Sequence, residues 1–297
     1  MMTLDIFVPY WGDPGLLFQT VDSVRAQDDP DWRLVVINDR YPDESVPAYF
    51  DAIDDPRIEY VLNDRNLGIT ENFRESVRRA TSSHVTIPGC DDLLHPNYVR
   101  VVKSVIGGMP DADVIQPGVD VIDEHGRRVL PLVDRVKQRL LAPKAVDGVA
   151  VLTGEEMATS LIRGDWLYWP SLTFRTETLK RIDFRDGLPI IQDLALLMDI
   201  AFDGGTLAYV PEKAFLYRRH ESSASQRALL DGRRFRDERD YFALAARLAA
   251  EKGWRQTERV ARNRLIARLH GLAVLPHVLR RGDGEGRRAA LAHVFAR

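Results

Sequence analysis

The sequence contains little cysteine and no long apolar segment. Its 297 residues include one cysteine, Cys90, which excludes an internal disulfide framework and favours a reducing compartment. The longest uncharged run has 11 residues, at 269–279, whereas roughly 20 apolar residues are needed to span a bilayer. The N-terminus has no basic segment followed by an apolar one, so it indicates no secretory signal peptide. These absences predict a cytoplasmic protein, with any membrane contact restricted to the surface of the inner face.

Several common enzyme motifs are also missing. No Gly-x-Gly-x-x-Gly follows the first apolar run, and Walker A, His-Glu-x-x-His and Gly-x-Ser-x-Gly sequences are absent. Their absence argues against dinucleotide-binding enzymes, P-loop proteins, zinc proteases of that class and α/β-hydrolases. The net charge of −3 and the lack of a recognisable binding module argue against nucleic acid as a partner.

The charge is divided unevenly along the chain. Residues 226–297 carry 17 Lys and Arg against 8 Asp and Glu, so the remaining 225 residues have a balance of −12. Three interpretations fit this basic tail. It can be a solvated helix pair packed on the main body, a contact with an anionic membrane surface, or an interface between copies of the chain.

Short apolar runs alternate with helical periodicity over the first 100 residues. Strands are predicted at 4–9, 34–37, 58–62 and 85–87, with helices between them, which is typical of a parallel, doubly wound α/β sheet. Farther along, strands are predicted at 114–116, 119–122, 129–130, 206–210 and 215–219, and helices at 97–106, 176–182 and 194–202. Residues 131–150 are predicted to be a loop. The region from Arg233 is predicted to be helical, with breaks at Gly253, Pro276 and Gly282.

Polar side chains fall at loop ends of this predicted sheet, where open α/β sheets bind their ligands. They are Asp39, Arg65 with Asn66, Asp91 with Asp92, and Asp193. Each has an ordinary alternative: a turn residue, a solvated charge or a helix cap. Two adjacent carboxylates repel each other unless a cation or hydrogen-bond donors hold them, so Asp91 and Asp92 suit a hard divalent cation shared with substrate phosphates.

The order of several sequence blocks resembles that of the inverting family 2 glycosyltransferases of the GT-A fold, over about residues 4–225. The blocks that carry the resemblance are Val8-Pro9-Tyr10, Ser23-Val24-x-x-Gln27, Trp32 with Leu34-Val35-Val36-Ile37-Asn38-Asp39, Asn66-x-Gly68 with Asn72, Gly89-Cys90-Asp91-Asp92-x-x-x-Pro96, Gln192-Asp193-x-x-Leu196, Tyr209-Val210-Pro211-Glu212 and Tyr217-Arg218-x-His220 with Ser225. No single block is diagnostic, but their order is specific.

The resemblance implies a fold and a domain organisation. The fold would be an α/β fold of GT-A type, with a Rossmann-like, mostly parallel sheet flanked by helices and a helical C-terminal extension. The glycosyltransferase domain would span residues 1–225, with a nucleotide-binding part at about 1–118 and an acceptor part at about 119–225. Residues 226–297 would form the Arg-rich helical region.

The resemblance also implies an activity. The protein would transfer a sugar from a UDP- or dTDP-type donor, with inversion, to a hydroxyl of a saccharide, lipid-linked or small-molecule acceptor, using Mn²⁺ or Mg²⁺ on the diphosphate. The general base would be Asp193, because it lies in the motif that bears the catalytic carboxylate. Metal ligands would come from Asp91, Asp92 and His220. Donor contacts would come from Pro9, Tyr10, Asp39, Arg65, Asn66 and Asp91, and acceptor contacts from Trp166, Trp169 and Gln192, since aromatic faces suit sugar faces.

Two residues depart from the family pattern. Gly89 stands in place of the first Asp of the Asp-x-Asp metal motif, and Gln192 stands in place of a Glu. They leave open a non-catalytic relative that binds nucleotide sugars. A sugar-nucleotide nucleotidyltransferase is a further alternative, although residues 10–15 provide no cation for the phosphate loop that such an enzyme needs.

Overall fold

The computed structural model describes residues 2–188, 190–220 and 224–296, without the side chains of 224–226. One sheet organises the molecule, and within the described residues it has ten strands, in the order β3-β2-β1-β4-β9-β6-β10-β5, with β7 beside β6 and β8 beside β10. The strands are β1 (Leu4–Tyr10), β2 (Trp32–Asn38), β3 (Ile58–Leu62), β4 (His84–Thr86), β5 (Leu93–Leu94), β6 (Val114–Ile122), β7 (Arg128–Val129), β8 (Ala150–Thr153), β9 (Thr173–Arg175) and β10 (Thr206–Arg218).

Helices flank the sheet and make up most of the C-terminal region. They are α1 (Pro14–Arg25), α2 (Ser45–Asp51), α3 (Ile69–Arg79), α4 (Tyr98–Gly108), α5 (Leu132–Val136), α6 (Gly154–Gly164), α7 (Thr176–Arg181), α8 (Gln192–Phe202), α9 (Ala224–Leu230), α10 (Arg233–Glu251), α11 (Arg255–Asn263), α12 (Leu265–Arg281) and α13 (Gly284–Phe295). A π-helical turn at Lys137–Leu141 and a 3-10 turn at Trp169–Ser171 complete the set. In the parts of the chain that the structure describes, no helix has the length and apolar character needed to cross a bilayer.

The predicted mostly parallel sheet is confirmed. Strands β3, β2, β1, β4, β6 and β10 run in one direction, whereas β5, β7, β8 and β9 run in the other. Alternate residues of the central strands enter two cores, one on each face: Phe7 and Val35 belong to the first, and Ile6 and Val8 to the second. Burial on both faces explains why these strands have continuous apolar sequences.

Strands β6 and β10 differ from the prediction, because each is one continuous strand where two were expected. β10 passes through Pro211, which lacks an N–H donor, at a bulge where the ladder with β6 shifts register between Val210 and Lys213. The carbonyl oxygens of Pro211 and Glu212 lie where a Cβ on residue 118 would be, so only Gly118 leaves room for the bulge.

The predicted loop at 131–150 was wrong in its first half, which contains α5 and the π-helical turn. Helix α6 and strand β9 were not predicted. The expected breaks at Gly253 and Gly282 are confirmed, but α12 continues through Pro276. Pro276 has no N–H to donate to the carbonyl of Leu272, four residues earlier in the helix. Both residues are exposed, so water can bind that carbonyl instead.

The C-terminal helices pack in two ways. Tyr241, Phe242 and Ala245 of α10 join the core on one face of the sheet, beside residues of α6 and α8. A separate small cluster joins α9, α12 and α13 to α10, and it consists of Leu229, Phe235, Leu275, Val278, Ala289 and Ala290. The inner faces of the basic tail are therefore packed against protein. The proposed domain limit at 225 stays a prediction.

Candidate functional site

An acidic loop, residues 89–92, connects β4 to β5 at the carboxyl edge of the sheet. Asp92 is buried there, and its Oδ1 accepts a 2.8 Å hydrogen bond from the backbone N–H of Arg218. The hydroxyl of Thr20 on α1 donates to the carbonyl oxygen of Asp92 at 2.8 Å. The helix-cap alternative is wrong for this pair, because the helix that follows begins at Tyr98 with Asn97 as its N-cap residue.

The two carboxylates of the acidic loop converge on the space that Gly89 leaves open. A Cβ on residue 89 would lie 2.7 Å from Oδ1 of Asp91 and 2.7 Å from Oδ2 of Asp92, so no larger residue fits without moving them. Burial, together with the negative charge of Asp91, raises the pKa of Asp92 well above its usual range. The loop therefore concentrates negative charge where a cation would relieve it.

His220 lies beside this pair. Its Nε2 is 2.9 Å from Oδ2 of Asp91, yet the two atoms are not aligned for a hydrogen bond, and this buried Nε2 has no hydrogen-bond partner among the described residues. Ligand atoms around an octahedral ion at about 2.1 Å lie about 3 Å apart, which matches this spacing. No group of three or more His, Cys, Asp and Glu side chains arranged for a metal occurs in residues 2–188, 190–220 and 224–296. The residues present fit a cation that takes its other ligands from phosphates and water.

Arg218, at the end of β10, connects the acidic loop to two other segments, α1 and the β6–β7 turn. Its guanidinium, in a residue that is 3% exposed, donates to the carbonyl of Asp91 at 2.7 Å and to Oε1 of Gln19 on α1 at 3.0 Å. It also reaches the carbonyls of Asp123 and Glu124, at 3.4 and 3.3 Å, in the β6–β7 turn. Sequence analysis gave Arg218 no role, although its position beside His220 in a family block was the available signal.

Asp39 follows β2 and holds the loop at residues 63–68. Its carboxylate is buried and accepts hydrogen bonds from the backbone N–H groups of Leu67 at 2.7 Å and Gly68 at 2.8 Å, and from the side-chain amide of Asn63 at 2.9 Å. Asn66 donates to the carbonyl of Asp39 at 3.1 Å. The loop is thus fixed to the end of β2, and the direct contact of Asp39 and Asn66 with a donor stays a prediction.

The remaining predicted donor residues lie at the same edge. Pro9 is half-buried and Tyr10 is buried at the end of β1, and the Tyr10 hydroxyl donates to the carbonyl of Gly12 at 2.8 Å. Arg65 is exposed in the loop that Asp39 holds. Next to Tyr10, the ring of Trp11 is 52% exposed and packs edge-on against Tyr41 at 5.3 Å. Sequence analysis missed this aromatic pair, although aromatic residues after both β1 and β2 were visible in the sequence.

Asp193 is a half-buried carboxyl in the first turn of α8. Burial, and after it the negative charge of Asp165, raises the pKa of Asp193 to about 6. The backbone N–H of Leu194, which donates to Asp193 at 2.8 Å, and the charges of Lys137 and Arg234 act in the opposite direction. Asp165 follows α6 in a left-handed conformation with φ of 21°, and sequence analysis missed it. A carboxyl with a pKa near 6 can accept a proton close to neutral pH.

Gln192 connects this helix to the first turn of α3. Its Oε1 accepts a 2.6 Å hydrogen bond from the hydroxyl of Thr70, in the first turn of α3 directly after the loop at residues 63–68. Asp193 is therefore linked through its neighbour to the segment that Asp39 fixes.

The two predicted acceptor tryptophans occupy different environments. Trp166 is 2% exposed, its indole N–H donates to Ser160 at 3.1 Å and its ring packs on Tyr209, so it belongs to the core and has no free face for a sugar. Trp169 is half-buried and packs on Phe73, among other rings. The structure thus removes Trp166 from the candidate acceptor residues, whereas the role of Trp169 stays a prediction.

Comparison with known proteins identifies the chain's relatives. The model of "Glycosyl transferase family 2" matches residues 5–154, which is half of the chain. The chain is 29% identical over 99 residues to the putative colanic acid biosynthesis glycosyl transferase WcaA of Escherichia coli, covering 33% of this chain and 36% of that one. It is 25% identical over 219 residues to the succinoglycan biosynthesis protein ExoO of Rhizobium meliloti, covering 72% of this chain and 60% of that one. It thus spans less than two thirds of either relative.

The fold also matches a solved structure. The S. aureus TarS fragment 1–349 in complex with UDP-GlcNAc superposes with a TM-score of 0.67 at 15% identity, over 99% of this chain and 82% of the other. At that identity, the likeness concerns the fold.

Proposed function

The chain belongs to glycosyl transferase family 2 and has the GT-A fold, and from this premise we propose that it transfers a sugar from a nucleoside-diphosphate donor of UDP or dTDP type to a hydroxyl acceptor with inversion. The observation that carries the proposal is the convergence of Asp91 and Asp92 on the space at Gly89. His220 lies beside them, and its Nε2 has no hydrogen-bond partner within the described part of the chain. The UDP-GlcNAc named with the TarS fragment supports a UDP donor.

Mn²⁺ or Mg²⁺ would take its protein ligands from among Asp91, Asp92 and His220, with phosphate and water oxygens completing its coordination, and when bound it would offset the negative charge that develops on the departing diphosphate. The protein's own contribution is to fix these side chains. Arg218 holds the backbone of Asp91 and, through its N–H, the carboxylate of Asp92. Arg65, exposed in the loop that Asp39 anchors, is placed to add a positive charge on the donor side.

Asp193 would accept the proton of the acceptor hydroxyl. As that proton leaves, the hydroxyl oxygen forms a bond to the anomeric carbon on the face opposite the diphosphate, and the bond from that carbon to the diphosphate oxygen breaks with its electron pair. One displacement inverts the configuration and needs no covalent enzyme intermediate. With a pKa of about 6, Asp193 is mostly ionised at pH 7 and still basic enough to take part.

The acceptor is proposed from chemistry and relatives together. Colanic acid and succinoglycan biosynthesis, named for WcaA and ExoO, support a saccharide or a lipid-linked saccharide over other small molecules. Trp169 and Gln192 are the proposed acceptor contacts that remain, and the bond from Thr70 fixes the side chain of Gln192. A cytoplasmic location belongs to the same proposal.

A non-catalytic relative that binds nucleotide sugars is the second candidate. The observation that favours it is Gln192, whose neutral amide cannot supply the carboxylate that the family has there. A nucleotidyltransferase is disfavoured by the family match.

The test separates binding from transfer. Thermal shifts would be measured with UDP, dTDP and their sugars, with and without Mn²⁺ or Mg²⁺, and transfer would be followed as diphosphate release in the presence of saccharide acceptors. We expect Asp91→Ala to lose metal-dependent stabilisation and Asp193→Asn to keep it while losing transfer. The matched control is Asp111→Ala, since that carboxylate is 92% exposed.

Two results would contradict the proposal. If Asp91→Ala retains both nucleotide binding and transfer, the acidic loop is not the donor site. If Asp193→Asn transfers at the wild-type rate, another base must act. Metal-dependent binding of a donor without release or transfer of its sugar would support the non-catalytic relative.

A further inference from the structure

Helix α12 carries an exposed apolar stripe. Its members recur at intervals of four and three residues, which places them on one face of a helix. They are Leu265 (64% exposed), Leu269 (52%), Leu272 (49%), Leu279 (43%) and, within the same series, the exposed Pro276. We call this surface the outer face of α12.

The opposite face of α12 already has its partners. Leu275 and Val278 are buried in the small C-terminal cluster, and Gly271 lies close to His293 and Val294 of α13. Internal packing therefore accounts for one face of the helix and leaves the stripe unexplained. A row of exposed leucines on a folded protein indicates an interaction surface.

The charges around the stripe have one sign. Residues 259–282 contain six arginines and no Asp or Glu. Arg280 and Arg281 are exposed at the C-terminal end of α12. Near its N-terminal end, Arg264 and Arg268 donate to the carbonyl of Ala296, which brings the end of α13, with the 66% exposed Phe295, to the start of α12.

We propose that the outer face of α12 binds the surface of an anionic lipid bilayer. An amphipathic helix with leucines on one face and arginines beside them lies in the plane of such a surface, with its apolar side chains at the boundary of headgroups and acyl chains. The arginines then meet lipid phosphates, which have the complementary charge.

A second copy of the chain fits this face less well. Self-association through α12 would bring like-charged, Arg-rich surfaces together, because α12 has no carboxylate to pair with them. The stripe is also small: a 17-residue helix is about 26 Å long. A strip about 10 Å wide on it offers roughly 250 Å², against about 800 Å² per partner in a stable dimer.

The position of α12 connects this surface to the proposed active site. A Cβ on Gly164, at the end of α6, would lie 3.3 Å from the side chain of Ile266 on α12. The next residue is Asp165, whose charge raises the pKa of Asp193, so α12 adjoins the region around the candidate base. If the proposed function holds, a lipid-linked acceptor would reach Asp193 from the bilayer. The bilayer contact itself does not depend on that function.

The experiment is flotation of the full chain with vesicles of phosphatidylglycerol and phosphatidylcholine, compared with vesicles of phosphatidylcholine alone. We expect the wild type to bind the anionic vesicles, and high salt to weaken this binding. The substitutions Arg280→Ser and Arg281→Ser should each weaken it by roughly fivefold. Leu269→Glu with Leu272→Glu should reduce binding at least tenfold. The matched control is Val146→Glu, at a 72% exposed apolar position outside α12, which should bind as the wild type does.

Circular dichroism and gel filtration accompany each variant. If the double glutamate variant does not fold, Leu272→Ser and the arginine variants provide the same comparison. The proposal is overturned if the wild type does not float with anionic vesicles, or if the α12 variants float as the control does. It is also overturned if gel filtration shows a dimer that Leu269→Glu dissociates, since a second copy then covers this face.

Discussion

Replacing Arg218 by methionine tests how the acidic loop is held. The change keeps much of the side-chain length and removes the guanidinium, while the backbone N–H that donates to Asp92 remains. It leaves the carbonyl of Asp91 and the side-chain oxygen of Gln19 without their donor in a part-buried place. It also removes the cation whose charge favours the ionised form of Asp92, so the pKa of Asp92 should rise further.

The magnitude follows from the two short bonds. At 2.7 and 3.0 Å, the bonds from Arg218 to Asp91 and Gln19 are good hydrogen bonds from a charged donor, each contributing about 1.5–3 kcal/mol. The longer contacts at 3.4 and 3.3 Å add little. The two bonds together contribute about 3–6 kcal/mol, and because both acceptors are only part-buried the loss should fall in the lower half of that range. We therefore expect Arg218→Met to lower the free energy of unfolding by about 3–4 kcal/mol.

Urea unfolding at pH 7 measures this loss, with Arg100→Met as the matched control. The side chain of Arg100 is 56% exposed and its pair with Asp28 spans 3.1 Å, so its removal should cost at most about 1 kcal/mol. Metal-dependent stabilisation by UDP should also be lost in Arg218→Met and kept in Arg100→Met. If the two variants unfold within about 1 kcal/mol of each other, the guanidinium does not hold the loop and the reasoning fails.

Three further predictions follow from single contacts. Gly89→Ala should abolish metal-dependent nucleotide binding, because the new Cβ displaces both carboxylates. Gly12→Ala should keep it, since a Cβ there would lie 3.6 Å from Sγ of Cys90, and equal binding by the two variants would refute this reasoning. Asp193→Asn should raise the urea midpoint of unfolding at pH 7 but not at pH 4. The raised pKa of Asp193 means that its carboxylate destabilises the folded state only when it is ionised, so a pH-independent effect would contradict this prediction. Asp39→Asn should lower the free energy of unfolding, measured in urea, by about 2 kcal/mol, because one backbone N–H then faces an amide N–H₂. The amide of Gly68 should also exchange its hydrogen faster, and unchanged exchange would show that Asp39 does not hold this loop.

The central sheet could be predicted because its strands are buried on both faces and so have continuous apolar sequences. Strand β9 could not, since its three residues, Thr173–Arg175, form no pattern and owe their place to pairing with β4 and β6. Proline was misleading twice. Pro211 lies in a bulge accommodated by Gly118 and Pro276 lies on an exposed helix face, and neither circumstance is visible in sequence.

The candidate site likewise contains residues that the sequence could identify and others that only tertiary contacts reveal. Asp91 and Asp92 could be identified because adjacent carboxylates after a buried strand are chemically unusual. The contribution of Asp165 to the pKa of Asp193 could not, because it depends on two loops meeting in space. Trp166 and Trp169 are three residues apart in similar surroundings in the sequence, and only burial separates the core residue from the candidate contact.

The contacts of Arg218 also affect the order in which the chain can fold. They join residues 126, 127 and 199 positions apart, so the acidic loop cannot be completed until β10 has joined the sheet. Closing such long loops is slow, which makes the site one of the last parts to form. The family-matched segment, residues 5–154, ends before β10, so a fragment cut there would lack Arg218 and His220. Nucleotide binding at the proposed site would therefore report that the whole sheet has assembled, and a ligand bound there would stabilise the complete topology over any shorter folding unit.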